Sequence, residues 1–245
     1  MAISIVENSV GHLCKYTPMW CDTHFIRHIQ QSEPFLSIDA EWVELGSVLE
    51  DVSNGMNVGT EHYSMEQTDV LYISVSQIDR YGLSRKNQNF LSESVLSLKK
   101  CKKLAPNMIV ITRSGSVGIA LSTNHNSFEF DKFTYIPSGF VIVAKVKDGV
   151  SADVLADYLN LKAVQNYLFA MAAGACQKNI SQEVVQHIPI PQKIISPTKD
   201  VKTHFEAHHK KVGNILSKIK SLESELDVFE QERDQFVFSA LMTKG

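Results

Sequence analysis

The sequence is poor in cysteine and contains no long hydrophobic run. Its four cysteines, Cys14, Cys21, Cys101 and Cys176, are scattered and form no Cys-x-x-Cys pair. This spacing excludes a disulfide framework and a zinc site, and it favours a reducing compartment. No apolar run reaches the roughly 18 residues that span a bilayer, and the first residues lack the pattern of a signal peptide. We therefore expect a soluble cytoplasmic protein with no membrane partner.

Motifs of catalysis are missing as well. There is no P-loop, no dinucleotide fingerprint, no Gly-x-Ser-x-Gly elbow, no adenine-methyltransferase tetrapeptide of the Asn-Pro-Pro-Tyr kind and no nuclease cluster. His204 and His208 are four residues apart, but no His-Glu-x-x-His motif accompanies them, so structural histidines are favoured over metal ligands. The sequence predicts a protein that is not an enzyme, needs neither cofactor nor metal, and acts by recognition.

Charge of neither sign dominates the chain, but charge is unevenly distributed. The formal net charge of -3 argues mildly against binding to nucleic acid, whose phosphates attract basic surfaces. Residues 76–103 nevertheless carry an excess of five positive charges, and residues 223–234 carry an excess of five negative charges. Either the two segments face different partners, or both are ordinary solvated surface.

The middle of the chain has the composition of short β-strands. From Trp42 onward, runs rich in Val and Ile are separated by turn residues such as Asn54-Gly55 and Pro137-Ser138-Gly139. These runs continue to about residue 146. A region dominated by strands is therefore predicted to precede the first helix of this part of the chain.

Helical spacing follows these strands. Ser151 can cap a helix, Gly174 is placed to end it, and a shorter helix is predicted around residues 181–187. Strands followed by helices predict an α+β (mixed α/β) domain. We place this domain over residues 42–198, whereas residues 1–41 have no clear role.

The last segment, residues 199–245, repeats every seven residues. Apolar side chains recur at two positions of the heptad, which is typical of a coiled-coil helix. Such a helix would be about 65 Å long at about 1.5 Å per residue. The alternative is an amphipathic helix that lies on its own domain. The seam residues that we expect to mediate dimerisation are Val212, Ile215, Ile219, Leu222, Leu226, Phe229 and Phe236.

Four motifs occur in an order that resembles a known family. The domain opens with Trp42-Val-Glu-Leu-Gly-Ser-Val, and the strand Asn107-Met-Ile-Val-Ile-Thr-Arg-Ser-Gly ends in an Arg-x-Gly turn. Gly174-Ala-Cys-Gln-Lys-Asn-Ile180 follows, and Ile188-Pro-Ile-Pro191 leads into the long helix. This order resembles the specificity subunits of type I restriction-modification systems.

The resemblance implies a function and partners. A specificity subunit is a non-catalytic protein that directs separate adenine-methyltransferase and restriction (translocase) subunits to a two-part target in double-stranded DNA. A typical member has two recognition domains and two antiparallel spacer helices, whereas this sequence has one of each and resembles a half-subunit. Either a homodimer through the helix supplies the second half, or the chain belongs to a longer subunit.

Candidate contact residues follow from the chemistry of DNA. Lys and Arg anchor phosphates, and Arg, Asn and Gln form paired hydrogen bonds with bases. A structural role is the alternative for each residue, because Asn and Gln also stabilise turns and Arg113 can pair with a carboxylate. The candidate DNA-binding residues are Arg80, Arg85, Lys86, Asn87, Gln88, Asn89, Arg113, Ser114, Ser116, Asn124, His125, Asn126, Gln177, Lys178 and Asn179.

Two other function classes remain open. One is a target-recognition module of another modification or defence system, and the other is an independent coiled-coil DNA-binding regulator. A regulator usually carries a helix-turn-helix, and the sequence shows no such pair of helices. A specificity subunit should instead bind a methyltransferase subunit through its helix region.

Overall fold

A computed structural model of the chain describes residues 31–32, 39–84, 88–174, 178–196 and 199–242. The α+β class expected from the sequence is confirmed, because strands and short helices precede one long helix. The chain divides into two compact units, of which the first ends at Ser196 and the second begins at Pro197. In the described ranges no helix combines the length and the apolar character that a bilayer crossing requires.

The first unit consists of twelve described strands and four described α-helices. The strands are β1 (Trp42–Glu44), β2 (Leu49–Asn54), β3 (Tyr63–Ser64), β4 (Val70–Ile73), β5 (Ile78–Asp79), β6 (Gly82–Leu83), β7 (Asn89–Leu91), β8 (Met108–Thr112), β9 (Ala120–Ser122), β10 (Thr134–Pro137), β11 (Val141–Val146) and β12 (Pro189–Pro191). The helices are α1 (Ala152–Leu159), α2 (Lys162–Met171), α3 (Gln182–Gln186) and α4 (Gln192–Ile195). Short 3-10 helices cover Leu45–Val48, Thr60–His62, Val75–Gln77 and Glu93–Ser97.

Two four-stranded sheets form the body of this unit. One is antiparallel in the order β2-β11-β8-β9, and the other has the order β10-β4-β7-β3 with β10 parallel to β4. Side chains of β11 alternate between the two faces of the first sheet, with Ile142 and Ala144 on one side and Val141 and Val143 on the other. Both faces are buried, which explains the nearly continuous apolar sequence of this strand.

The apolar side chains form three buried clusters. In the largest, Ile109 and Ile111 of β8 pack with Leu155 and Leu168 of helices α1 and α2. The second cluster lies between the two sheets, and the third lies on the far side of β4, around Tyr72. The first unit is therefore layered, with helices on one side of the β2-β11-β8-β9 sheet and the second sheet on its other side.

The helix predicted from Ser151 to Gly174 is in fact two helices, so that prediction is wrong. Ser151 does cap α1, accepting a hydrogen bond from the Val154 N–H. The chain breaks at Asn160, whose amide donates to the Ala120 carbonyl (2.6 Å) and accepts from the Ala120 N–H (3.1 Å). These bonds pair the backbone N–H and carbonyl of Ala120 in the edge strand β9, and the helix is interrupted at Asn160. Gly174 follows the end of α2 with a φ of 119° and does not cap it.

The Ile-Pro-Ile-Pro segment is a strand, as its sequence indicates. It pairs antiparallel with β1, and Val43 lies opposite Ile190. The hydroxyl of Tyr158 donates to the Pro189 carbonyl at 2.7 Å. Burial raises the pKa of Tyr158, so the hydroxyl stays protonated and remains a donor. This pairing brings the start of the domain next to the segment that leads to the long helix.

The second unit is dominated by helix α5, which covers Lys199–Met242 and has 44 residues. The predicted heptad segment is thus helical, with a length of about 66 Å at about 1.5 Å per residue. Six of the seven predicted seam residues are solvent-exposed, among them Ile215, Leu222 and Phe229 with relative exposures of 57%, 63% and 65%, and Val212 is half-buried. A stripe of this kind is costly to leave in water and is typical of an interaction surface.

A chain that ends at Ser196 should fold without α5. All three apolar clusters of the described residues lie before this position, so their burial is retained. Circular dichroism should show a loss of helix signal together with a single cooperative thermal transition. A truncated chain without a cooperative transition would contradict the division of the protein into two units.

Candidate nucleic-acid interface

The two central motifs, far apart in the sequence, meet in the structure. Ser114 forms an antiparallel bridge with Asn179, and the Ile180 N–H donates to the Arg113 carbonyl at 3.1 Å. Asn179 in turn exchanges two backbone hydrogen bonds with Ala173, at 2.8 and 2.9 Å. We call this arrangement the motif joint. It fixes the backbone at Arg113, directly beyond the end of β8.

The turn after Arg113 is stabilised by its own residues. Gly115 and Gly118 have positive φ angles of 72° and 84°, which L-residues with side chains rarely adopt. A Cβ atom on Gly118 would lie 3.0 Å from the Leu168 side chain of α2. The Thr112 hydroxyl closes the turn by accepting from the Ile119 N–H (2.9 Å) and donating to the Ser116 carbonyl. Both glycines therefore have structural roles.

Arg113 faces an open concavity of about 600 Å³. Its Nε atom is buried and has no hydrogen-bond partner among the described residues. A buried donor without an acceptor costs about 1–3 kcal/mol, so rotation of the Arg113 guanidinium toward an acceptor in the concavity would be favoured. The oxygen and nitrogen acceptors of a base edge or a phosphate have the required chemistry. The concavity is lined by Asn54, Arg113, Ser181, Gln182, Glu183, Gln186 and His187.

Most of these lining residues are absent from the sequence-based candidates. Asn54 comes from β2 and Gln182 from α3, and only the packing of α3 on the sheet brings them together. The surroundings of Gln182 favour the amide orientation in which its nitrogen donates to the Val52 carbonyl (3.2 Å) and its oxygen accepts from the Asn54 N–H (2.9 Å). The Lys102 ammonium donates to the Asn54 carbonyl at 2.5 Å, which adds a positive charge beside Asn54. In the sequence, Asn54 and Gly55 indicated a turn and residues 181–187 indicated a short helix. Neither pattern pointed to a binding site.

A second group of candidates surrounds the β5–β6 hairpin. Arg80 and Tyr81 are exposed at its tip. The Leu83 N–H donates to the Ser127 hydroxyl at 3.0 Å, and His125 Nδ1 lies 2.8 Å from the same hydroxyl. The hairpin and the turn after β9 thus form one surface, which also exposes Asn126. Guanidinium, phenol and amide groups on such a surface are suited to contacts with bases and phosphates.

Three candidates have structural contacts that compete with DNA binding. The Asn124 side chain accepts from the Asn107 N–H (2.8 Å) and donates to Asp153 (3.3 Å). Ser114 is 4% exposed. Asn89 lies in strand β7, opposite Tyr72 of β4, and not in a loop. For these residues the structural alternative is favoured because their polar groups are already used or buried.

The structure does not bring all candidates to one place. Arg113 and Asn124 lie beyond opposite ends of the β8–β9 hairpin, about 20 Å apart at about 3.3 Å per strand residue. Ser116 is exposed, whereas Gln88, Lys178 and Asn179 are half-buried. Arg85, Lys86, Asn87 and Gln177 lie outside the described residues. In the part of the chain that the structure describes, no group of His, Cys, Asp and Glu side chains is placed to hold a metal ion.

Comparison with known proteins shows a likeness at the level of the fold. A family model described as a domain of unknown function (DUF1871) matches residues 47–118, and no curated protein matches the chain. The type I restriction-modification S subunit from M. genitalium is 15% identical with a TM-score of 0.50, and the match covers 85% of this chain and 48% of that one. The HsdS subunit from Thermoanaerobacter tengcongensis is 16% identical with a TM-score of 0.50, over 94% and 54% of the two chains.

A third solved structure, described for the complex assembly and conformational transition of the type I restriction-modification system, is 13% identical with a TM-score of 0.53. That match covers 97% of this chain and 57% of the other. The protein therefore has the mixed fold of type I specificity subunits, including the long C-terminal helix. It spans about half the length of the structures that it matches.

Replacing Arg113 should test the concavity as a base-recognition site. In Arg113→Ala, binding to a specific DNA sequence should weaken by about 1–3 kcal/mol, the value of a bidentate contact with a base. Binding to non-specific DNA should weaken much less. Fluorescence anisotropy with the two DNAs at one salt concentration measures both losses, and Arg80→Ala serves as the comparison at the other surface. Equal losses on both DNAs would reduce Arg113 to a phosphate or structural contact.

Proposed function

We propose that this protein is a DNA-recognition subunit of a type I restriction-modification system. The observation that carries the proposal is the motif joint, which presents Arg113 on a fold shared with specificity subunits over most of the chain. The joint is built from the Arg-x-Gly and Gly-x-x-Gln-x-x-Ile segments on which the family resemblance rests. Its contacts explain why these two segments occur together.

In this proposal the protein supplies binding and no chemistry. Arg113 and the surface around Arg80 and Asn126 contact the bases and phosphates of double-stranded DNA. Separate adenine-methyltransferase and restriction (translocase) subunits, held partly through the helix region, carry out methylation and cleavage. The fold likeness to specificity subunits supports this division of labour.

The second half of the target is recognised by a second copy of the chain. Each copy has one recognition domain joined to the first residue of its helix, and the seam of α5 is exposed. Antiparallel pairing of two seams attaches a recognition domain to each end of the pair. Because such a dimer has two-fold symmetry, we propose a split palindromic target with half-sites about one DNA turn, ~34 Å, apart.

Methylation mapping tests the proposed function. The chain is co-expressed with its adenine-methyltransferase subunit in a bacterial host that lacks adenine methylation of its own. We expect methylated adenines within one split palindrome, and Arg113→Ala should reduce or relax this pattern. A control strain that expresses the methyltransferase subunit alone should show no such pattern. The proposal fails if both strains give the same methylation map.

Substitutions in the seam test the dimer. The wild-type protein should sediment as a dimer at micromolar concentration, and Leu222→Glu with Leu226→Glu should sediment as a monomer, because charges replace apolar contacts worth roughly 1.5–3 kcal/mol each. Val228 and Phe238 are equally exposed on the same helix but lie off the seam, so Val228→Glu with Phe238→Glu is the matched control and should remain dimeric. A monomeric wild-type protein would refute self-pairing.

A further inference from the structure

The charges of helix α5 are divided between its two halves. Residues 199–220 contain six lysines and two acidic residues, whereas residues 221–242 contain six acidic residues and one arginine. Two such helices attract each other when they are antiparallel, because each basic half then lies along an acidic half. In a parallel pair, like charges would face each other over the whole length.

We propose that α5 encodes one particular antiparallel register with a second copy of this chain, in which Ile219 lies opposite the second copy's Leu222. The inference deepens the self-pairing in the proposed function and rests on it. In antiparallel coiled coils, the first apolar position of one heptad packs with the second apolar position of the other helix. The choice among registers that differ by whole heptads therefore has to come from side chains that break the apolar pattern.

The two polar residues of the described seam make this choice. In the proposed register Ile215 lies opposite Leu226, Val212 opposite Phe229, and His208 opposite Arg233. His208 and Arg233 thus pair with each other in one layer of the coiled coil. Two-fold symmetry produces this layer twice, once on each side of the apolar layers formed by residues 212–229. A shift of one heptad in one direction places Arg233 opposite Ile215, and a shift in the other direction places His208 opposite Leu226. Either shift buries a polar group against an aliphatic side chain, which is unfavourable.

The charged residues that flank the seam select the same register independently. Lys218 lies opposite Glu225 and Lys211 opposite Glu232, and symmetry produces each pair twice. All four side chains are exposed in the single chain and free to reach across the seam. A one-heptad shift would bring either Glu225 or Lys218 opposite its own copy across the two-fold axis. Core and flanking positions therefore agree on one alignment.

The proposed register also sets a distance within the dimer. In this register Lys199 of one helix lies opposite Met242 of the second copy's helix. The points at which the two recognition domains join the pair are then about 65 Å apart, at about 1.5 Å per residue. One helix length and one register would thus fix the distance between these two attachment points.

Charge reversal at the flanking positions tests the register. In Lys218→Glu and in Glu225→Lys, each Lys–Glu pair at this position becomes a like-charge pair, and the dimer dissociation constant should rise about tenfold in each variant at low salt. The double variant Lys218→Glu with Glu225→Lys should recover the wild-type dissociation constant. Sedimentation velocity over a concentration series measures all four proteins, and circular dichroism confirms that the helix content is unchanged.

Alternative arrangements give different outcomes. In either shifted register the double variant has like-charge pairs at both positions, so its dimer is weaker than that of the wild type. In a parallel pair, Glu225 faces Glu230, so Glu225→Lys would strengthen the dimer. Lys210 lies on the face opposite the seam, and Lys210→Glu, the control with the same change of charge, should leave the dissociation constant unchanged.

The experiments distinguish a wrong register from a wrong proposed function. Absence of rescue in the double variant, or tighter binding by Glu225→Lys, overturns the register while the wild-type dimer stands. A monomeric wild-type protein overturns the register and self-pairing together. DNA recognition is measured separately by the methylation map, so its failure would be visible independently of either result.

Discussion

Burial of β8 and β11 on both faces is the constraint on which the rest of the first unit depends. Ile109 and Ile111 face the helices, Val110 and Val141 face the second sheet, and neither strand can move without opening a cluster. The ends of β8 are consequently fixed, and they determine where the adjoining segments lie. Arg113 follows one end directly, and the turn after β9 lies beside the other end.

A rigid sheet that presents polar side chains at its ends is suited to recognition. Loops that bind partners are usually held by a scaffold that does not change shape. Here the motif joint holds Arg113 through hydrogen bonds from both sides, as its N–H donates to the Phe140 carbonyl (3.0 Å) and its carbonyl accepts from Ile180. Only the guanidinium is left to adapt to a ligand. Preorganisation of this kind lowers the entropic cost of binding.

The elements with strong local signals could be predicted from the sequence. The apolar strands, the cap at Ser151, the extended Ile-Pro-Ile-Pro segment and the long helix follow from periodicity, capping and the fixed φ of proline. The division of the expected long helix at Asn160 could not be predicted, because its cause is a pair of hydrogen bonds to Ala120 of a distant strand. Local spacing contains no information about that contact.

The sequence by itself determined the α+β class, the motif order and the heptad of α5, because these depend on neighbours along the chain. Which polar residues remain available for a ligand was decided only by the tertiary structure. Asn124 and Asn126 look equivalent in the sequence and both are exposed, yet the amide of Asn124 is bonded to Asn107 and Asp153. Likewise, Asn54 and Gln182 join Arg113 only because helix α3 packs on β2. The physical reason is that hydrogen-bond partners and burial are properties of residues brought together by folding.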